Sequence, residues 1–571
     1  MSVNFGALDW AVVVLYFLAI AGIAAWVAMQ KEKDTTDYFL ASRNAPWFLI
    51  GASIFASNIG AEHLVGLAGS GAGTGMAFAH WELQSYFLIV LGWVFAPFYL
   101  RSKIFTTPEF LEKRYTPGTR TALSLIFLAA YILTKASVTI YAGAITIKTI
   151  LGFDSIDLPG IGAVDFFWFS AFALVIVTGI YTVVGGMKAV LWTEGMQAPL
   201  LLIGSIVILL VGLHQIGGLA ALRAANADTI SLWRPLQQAS GPSWVPTDAS
   251  FLFDASQTPW LGVVLGSPII GLWYWCTDQY IVQRVLTARN LPQARRGAIW
   301  AGYLKLFPVF IFLIPGMIAV ALKNMGVDGF ADMQHADEAF PRLAAHLLPE
   351  GLRGLVLAGM LAALMSSLAS LFNSTATLFT VDFYERLRPN ASEAHLVRVG
   401  RVATVAVVAA GIGWIPIMQR IGGGQLYGYL QNVQSLLAPA IAAVFMLGIF
   451  SKHVSPISGF VGIVSGFVIG MARLFMQVAH EMGGMDFAAM QWFVDINWLY
   501  FCFLLFVFTC ALIFAVSAFT PKASDEQIRG LTYSTMSEQQ RAEAHTGVSI
   551  WDVVNSAVVL AIVAGIYFYF W

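Results

Sequence analysis

Charge is what this sequence has least of. Asp, Glu, Lys and Arg make up 11% of its 571 residues, and the formal net charge is −1. A soluble domain carries about 25% charged residues, so most of this surface cannot be meant for water. The near balance of charge also removes the electrostatic footprint of a nucleic-acid binder. Cysteine is scarce too. Cys276, Cys502 and Cys510 all fall in apolar runs, which excludes a disulfide framework or a thiolate metal site and leaves them as small buried hydrophobes. Also missing are His-Glu-x-x-His, a pair of catalytic aspartates and Gly-x-Ser-x-Gly, so nothing marks the chain as an enzyme.

What the chain has instead is apolar length. Hydrophobic residues reach 58%, with a mean hydropathy of +0.74. At about 20 apolar residues per membrane crossing, the runs read as an all-α integral membrane protein of about fourteen transmembrane helices, forming one domain over 1–571. The expected spans are 8–29, 46–71, 77–100, 120–147, 162–184, 190–213, 257–283, 297–321, 354–380, 402–419, 425–450, 455–479, 491–519 and 550–571. The first run, from Asp9 to Met29, has no basic flank and no cleavage site, and so reads as a retained helix. Lys and Arg are roughly threefold more abundant in the loops of one side, among them Lys31, Lys33, Arg101, Arg289 and Arg398, which orients the chain with both termini outside. The two glycosylation sequons, at Asn373 and Asn390, fall in a span and an inner loop; their absence from outer loops points to a bacterial inner membrane. The polar stretch from Pro521 to Ser549 reads as a solvated linker.

Ionisable side chains at mid-membrane cost about 2.5–3.5 kcal/mol on insertion scales, so they mark cavities or partners. The candidates are Glu62, His63, Glu82, Lys135, Glu194, Asp278, Lys305 and Arg473. Five of them fall in the second, third, seventh and eighth spans, which predicts a polar cavity between those helices. The second span is interrupted by Ser57-Asn58-Ile59-Gly60-Ala61-Glu62-His63 and then a run of glycines. The seventh carries Gly266-Ser267-Pro268 and Gly271 before Trp273-Tyr274-Trp275-Cys276-Thr277-Asp278-Gln279. Unwound backbone is tolerated at this depth only where it lines a cavity, and two interrupted spans five apart suggest an inverted-repeat transporter. In the ninth span Ser366 and Ser370 lie one helical turn apart on one face. Such serines either bond back to helix carbonyls or, beside an unwound helix, offer a hard cation its oxygen ligands.

Several of these stretches resemble the solute:sodium symporter family, and within it the sodium/glucose cotransporter branch. They are Ala56-Ser57-Asn58-Ile59-Gly60 with His63, the Trp273–Gln279 run followed by Gln283-Arg284, Gly302-Tyr303-Leu304-Lys305-Leu306, Met365-Ser366-Ser367-Leu368, and Gly424-Gln425-Leu426 leading to Gln431. The resemblance implies a LeuT-type fold of two five-helix inverted repeats, 46–213 and 257–450, flanked by 8–29 and 455–571. It implies a sugar pocket in which Asn58, His63, Glu82, Lys305 and Gln431 bind hydroxyls. Tyr274 and Trp275 would close this pocket on the inner side, and Leu67, Trp81 and Tyr427 would form its outer gate. Outside that resemblance, Lys305 reads as a buried cation paired with Glu82 or Asp278.

The resemblance also implies a Na⁺ site made by the carbonyls of Ala56, Ile59 and Ala363 with the hydroxyls of Ser366 and Ser367. Members that couple a second ion place an aspartate and a hydroxyl residue where this chain has Glu194 and Ala369, although Ser370 remains as part of a possible second ion path. The expected activity is therefore Na⁺-coupled import of a glucose- or galactose-like hexose by alternating access, with one Na⁺ per sugar and no obligate protein partner. Gly271 and Gly428 stand where relatives have polar or acidic side chains. The same fold carrying myo-inositol, sialic acid or another small polar solute, or acting as a sugar-gated sensor, are the alternatives.

Overall fold

The computed structural model describes residues 6–29, 35–60, 62–160, 162–237, 242–246, 248–253, 255–421, 426–483 and 490–571. Lys31, Lys33, Ala61, Gly424 and Gln425 lie outside the described residues. Among the described residues, eleven helices are long and apolar enough to cross a membrane. A bent pair, Trp260–Cys276 with Gln279–Leu286, would make a twelfth. Two shorter apolar helices, Trp47–Asn58 and Phe166–Ile180, fall where the sequence places the second and fifth spans.

Glycine decides where two long helical stretches divide. The 40 residues of Glu62–Arg101 would be about 60 Å long as one helix, twice the apolar thickness of a bilayer. They turn at Gly75, with φ 71° and ψ −141°, a conformation that a Cβ disfavours. Gly186, with φ 51° and ψ −152°, divides Phe166–Ile216 in the same way.

The helices differ sharply in burial. The most apolar window of Leu352–Leu387 is 94% buried and that of Leu426–Phe450 89%, against 22% for Ala7–Val27 and 28% for Ile550–Tyr569. The central Leu352–Phe379 helix is rich in Gly, Ala and Ser, which lets neighbouring backbones approach. The outer helices are apolar all round and turn side chains such as Leu8, Leu15, Leu18 and Phe568 outward, as a lipid-facing helix should. One buried carboxylate fastens the first helix to the centre. Asp9 Oδ1 accepts from the N–H groups of Gly351 (2.7 Å) and Gly354 (2.8 Å) at the start of the central helix, where free N–H groups favour an anion.

The second span breaks where the sequence predicts. Trp47–Asn58 stops as Ile59 turns to φ −80° and ψ 98°, and the chain resumes as a π-helical turn, Glu62–Leu67, followed by Ala68–Thr74. The seventh span differs from expectation. Its helix runs unbroken through Gly266–Gly271 and is interrupted at Thr277-Asp278, with a bend of 42°. The glycines serve packing instead: a Cβ on Gly266 would stand 2.5 Å from the Leu499 carbonyl, and one on Gly271 2.6 Å from the Phe87 ring. Asp278 restarts the chain by accepting from the Tyr280 N–H at 3.1 Å, as an N-cap does.

The polar stretch after Pro521 also departs from a plain linker. Ile528 and Thr532 are buried, the Tyr533 ring packs against Phe98 at 5.1 Å and Phe450 at 5.4 Å, and Arg295 Nη2 donates to the Ala544 carbonyl at 2.6 Å. Outside the membrane helices, Ser155–Leu158 and Gly162–Asp165 form a small antiparallel hairpin.

Candidate substrate and ion sites

The polar side chains at the centre come from places where helices end. Asn58 is the last residue of its helix, His63 lies in the π-helical turn, and Glu82 closes the short Ala79–Glu82 helix. Tyr274 and Trp275 occupy the last turn before the bend, and Lys305 caps Leu291–Leu304. A straight transmembrane helix satisfies its own backbone and gives no reason for polar side chains at this depth, whereas its breaks do.

These residues line or adjoin one cavity of about 30 Å³ whose walls include Asn58, His63, Lys135, Trp275, Lys305 and Gln431. They are joined across it. Lys305 Nζ donates to Asn58 Oδ1 at 2.9 Å and to Glu82 Oε2. Asn58 Nδ2 donates to the Tyr274 hydroxyl at 3.0 Å, and the Tyr427 hydroxyl donates to Glu82 Oε1 at 2.8 Å. His63 Nε2 lies 3.4 Å from the same Glu82 oxygen. Lys305 Nζ also sits 5.1 Å from the centre of the Trp275 ring, a cation–π distance. Among the described residues, His63 Nδ1 and Gln431 Oε1, like a number of other buried polar atoms in this protein, have no hydrogen-bond partner, which leaves them free to bond a ligand.

Leu67, Trp81 and Tyr427, expected from the resemblance as an outer gate, share an apolar cluster with Phe78. Trp81 stacks on Trp498 at 5.5 Å, and Phe78 meets Tyr427 edge-on at 5.6 Å. Of these three, Trp81 and Tyr427 reach the cavity wall, while Leu67 packs behind it.

Two lining residues escaped the sequence-based assignment of roles. Lys135 Nζ donates to the Tyr274 hydroxyl at 2.8 Å and lies 4.4 and 4.5 Å from the Tyr274 and Tyr280 ring centres. Its cost at mid-depth was the available signal. Gln84 donates through Nε2 to the Ser267 carbonyl at 2.9 Å and would put Oε1 2.7 Å from a Cβ on Gly271. The missing side chain at Gly271 is thus matched by an amide from the neighbouring span. Asp278, by contrast, stands apart from the wall and accepts from the Tyr131 hydroxyl at 3.0 Å.

A second cluster gathers where the broken span meets the central helix. The Ser366 hydroxyl donates to the carbonyls of Ala56 (2.7 Å) and Ala363 (2.9 Å), and Ser367 Oγ donates to the Ser57 carbonyl at 3.2 Å. Ile59 leaves the helix here with φ −80° and ψ 98°, which puts its carbonyl past the helix end. The structure thus brings together two backbone carbonyls and the Ser366 hydroxyl, the hard neutral oxygens that suit an alkali cation.

One turn further along, Glu194 is enclosed differently. Its Oε1 accepts from Ser370 and from Arg284 Nη2 (3.3 Å), and its Oε2 accepts from Ser53. Arg284 also donates to the Tyr280 carbonyl at 2.6 Å. The sequence did not flag Ser53 or Arg284 as partners of this carboxylate.

The model for the sodium:solute symporter family matches residues 38–466. Sodium/glucose cotransporter 1 of Oryctolagus cuniculus is 38% identical over 568 residues, covering 95% of this chain and 83% of that protein. Sodium/myo-inositol cotransporter 2 of Homo sapiens is 39% identical, covering 92% and 79%. A solved structure of a Na⁺-coupled sialic acid symporter, in a substrate-bound outward-open state, superposes with a TM-score of 0.73 at 20% identity, over 91% of this chain and all of that one. At that identity the likeness establishes a shared fold.

Proposed function

Because the chain belongs to the sodium:solute symporter family, we propose that it carries a glucose- or galactose-like hexose into the cell together with one Na⁺. The observation that carries this reading is the cavity lined by Lys305, Asn58 and Tyr274, which are joined in one hydrogen-bond chain with Glu82 behind it, beside the Trp275 ring. Convergent donors and acceptors next to an aromatic plane match a sugar's hydroxyls and its C–H face. Each hydroxyl would replace one of these side-chain bonds, so that no buried polar group is left unpaired on binding. His63 and Gln431 would add bonds they do not now make. Tyr274 with Trp275 would close the inner side, and Leu67, Trp81 and Tyr427 the outer.

Na⁺ would take the carbonyls of Ala56, Ile59 and Ala363 with the hydroxyls of Ser366 and Ser367. In doing so it would tie the broken second span to the central helix and raise the population of the sugar-competent, outward-facing state. The two repeats, 46–213 and 257–450, would then rock about the loaded site. One charge crossing 100 mV supplies about 2.3 kcal/mol, and a tenfold Na⁺ gradient about 1.4 kcal/mol. Together they sustain accumulation of several hundredfold. We place the chain in a bacterial inner membrane with both termini outside and no obligate protein partner. Glu194, held by Arg284, is left as a structural carboxylate and not as the centre of a second ion path.

The test is uptake of labelled glucose, galactose and myo-inositol into proteoliposomes with an inward Na⁺ or K⁺ gradient. Na⁺-dependent accumulation of a hexose is the expected result. Equal uptake in K⁺ would remove the coupling, preference for myo-inositol would reassign the cargo to a polyol, and sugar-evoked current without accumulation would make the protein a sensor.

A further inference from the structure

Of the carboxylates around the two candidate sites, Glu82 is paired with Lys305 and Glu194 with Arg284. Asp278 accepts from the Tyr131 hydroxyl and the Tyr280 N–H. Glu62 is the exception. It is 2% exposed, its Oε2 is buried without a hydrogen-bond partner, and among the described residues no cation pairs with it. Lys135 and Lys305 line the same cavity without an ion pair to Glu62, and a carboxylate taken out of water without a direct partner is costly, so a chain poor in charge has no incidental reason to carry one here.

Its position is specific. Glu62 begins the π-helical turn directly after the break in the second span and also lines the central cavity. A Cβ on Gly60 would stand 2.3 Å from Glu62 Oε2 and 2.5 Å from Ser367 Oγ. The bare Cα of Gly60 therefore leaves one shared space for the carboxylate and the hydroxyl, at most the sum of those distances apart. At the neighbouring residue of the same helix, the Ser366 hydroxyl and the carbonyls of Ala56 and Ala363 converge. The proposed Na⁺ ligands are all formally neutral oxygens, and a bare cation buried among them would lack a counter-charge. The unpaired cation and the unpaired carboxylate answer each other.

The geometry points to Glu62 as the counter-charge of the coupling cation: its carboxylate faces the Ser367 side of the Na⁺ site, sets the affinity for Na⁺, and stands between ion and sugar. This inference rests on the sodium reading above and adds a residue to it. Na⁺ bound beside Glu62 would stabilise the turn that carries His63. Ion binding and the shape of the sugar pocket would then share one short piece of backbone.

Equilibrium binding of ²²Na⁺ to the purified full-length protein without sugar, followed by glucose binding at saturating Na⁺, separates the roles. Glu62→Gln keeps the shape and removes the charge. It should raise the Na⁺ half-saturation concentration about tenfold or more, by a larger factor than it changes glucose affinity at saturating Na⁺. Glu62→Asp keeps the charge at shorter reach and should fall between Gln and wild type. It also serves as the test should the Gln variant fold poorly. An unchanged Na⁺ half-saturation in both variants overturns the inference. So does a loss of glucose affinity with Na⁺ binding intact, which would make Glu62 a sugar ligand. Failure of the wild type itself to bind Na⁺ would instead overturn the sodium reading on which the inference rests.

Discussion

Ser366 and Ser370 lie on one face of the same central helix, one turn apart, and their surroundings are opposite. Around Ser370 a carboxylate, Glu194, already holds a guanidinium, Arg284, and two hydroxyls. Around Ser366 only hydroxyl and carbonyl oxygens meet, with no cation among the described residues. A buried carboxylate whose oxygens already hold a cation and two hydroxyls is a closed unit, costly to open and offering little to a visiting ion, although Arg284 Nε itself has no hydrogen-bond partner among the described residues. A knot of neutral oxygens beside broken backbone is an open one. On the proposed reading, the coupling ion would go to the first serine and a structural role to the second, with the same residue type on the same helix.

The comparison can be broken hardest at Ser366. Ser366→Ala should reduce Na⁺-dependent sugar uptake in proteoliposomes to background, a loss on the order of a hundredfold or more, because it removes the one oxygen that meets both carbonyls. Undiminished uptake would sink the ion-site assignment. Glu194→Gln tests the closed unit: it should leave Arg284 buried without its counter-charge and cost about 3–5 kcal/mol of stability, read as a large fall in Tm. In the fraction that folds, the Na⁺ to sugar ratio should be unchanged, and a changed ratio would show that Glu194 handles a transported ion.

Tyr274→Phe sharpens the link between the ion site and the cavity. Asn58 and Lys135 both donate to that hydroxyl, so its loss should weaken sugar binding about tenfold. Na⁺ half-saturation measured without sugar should not move.

The smallest expected effect lies outside the membrane. Burial pushes the Asp337 carboxyl up to about 7, against the lowering effect of the Leu426 N–H bonded to it at 3.3 Å. The folded protein therefore holds this proton to higher pH than the unfolded chain does. Its stabilising contribution is complete in acid below the ordinary aspartate range of about 3.9 and is lost as pH rises through about 7. Tm should decline across that window in the wild type, and Asp337→Asn should flatten the decline. An unaltered slope would show that the proton sits elsewhere.

Much of this arrangement was legible in the sequence, for identifiable reasons. The membrane class follows from scarce charge and long apolar runs. The break at Asn58–Gly60 follows from polar and glycine residues at a depth where only cavity-lining backbone can unwind. Gly266 and Gly271 carried the same signal and misled. Glycine opens backbone in one setting and admits a neighbouring backbone or side chain in another, and only the approach of Leu499, Phe87 and Gln84 decides between them. The interruption fell instead at Asp278, whose capping role local sequence did not single out. Partners across long separations were readable only in part: Lys305 with Glu82 was one of the two pairings its buried charge suggested, whereas Arg284 with Glu194, Lys135 with Tyr274 and Gln84 beside Gly271 join different spans with no mark in one sequence. The docking of Thr532 and Tyr533 was hidden for the same reason.

The coupling ratio tests the contrast between the open and the closed serine most directly. Initial fluxes of ²²Na⁺ and labelled hexose, measured together in proteoliposomes held at fixed membrane potentials, should give one Na⁺ per sugar at every potential. A ratio of two would mean that the cluster of Glu194, Ser370 and Arg284 opens to an ion after all, and would contradict the account.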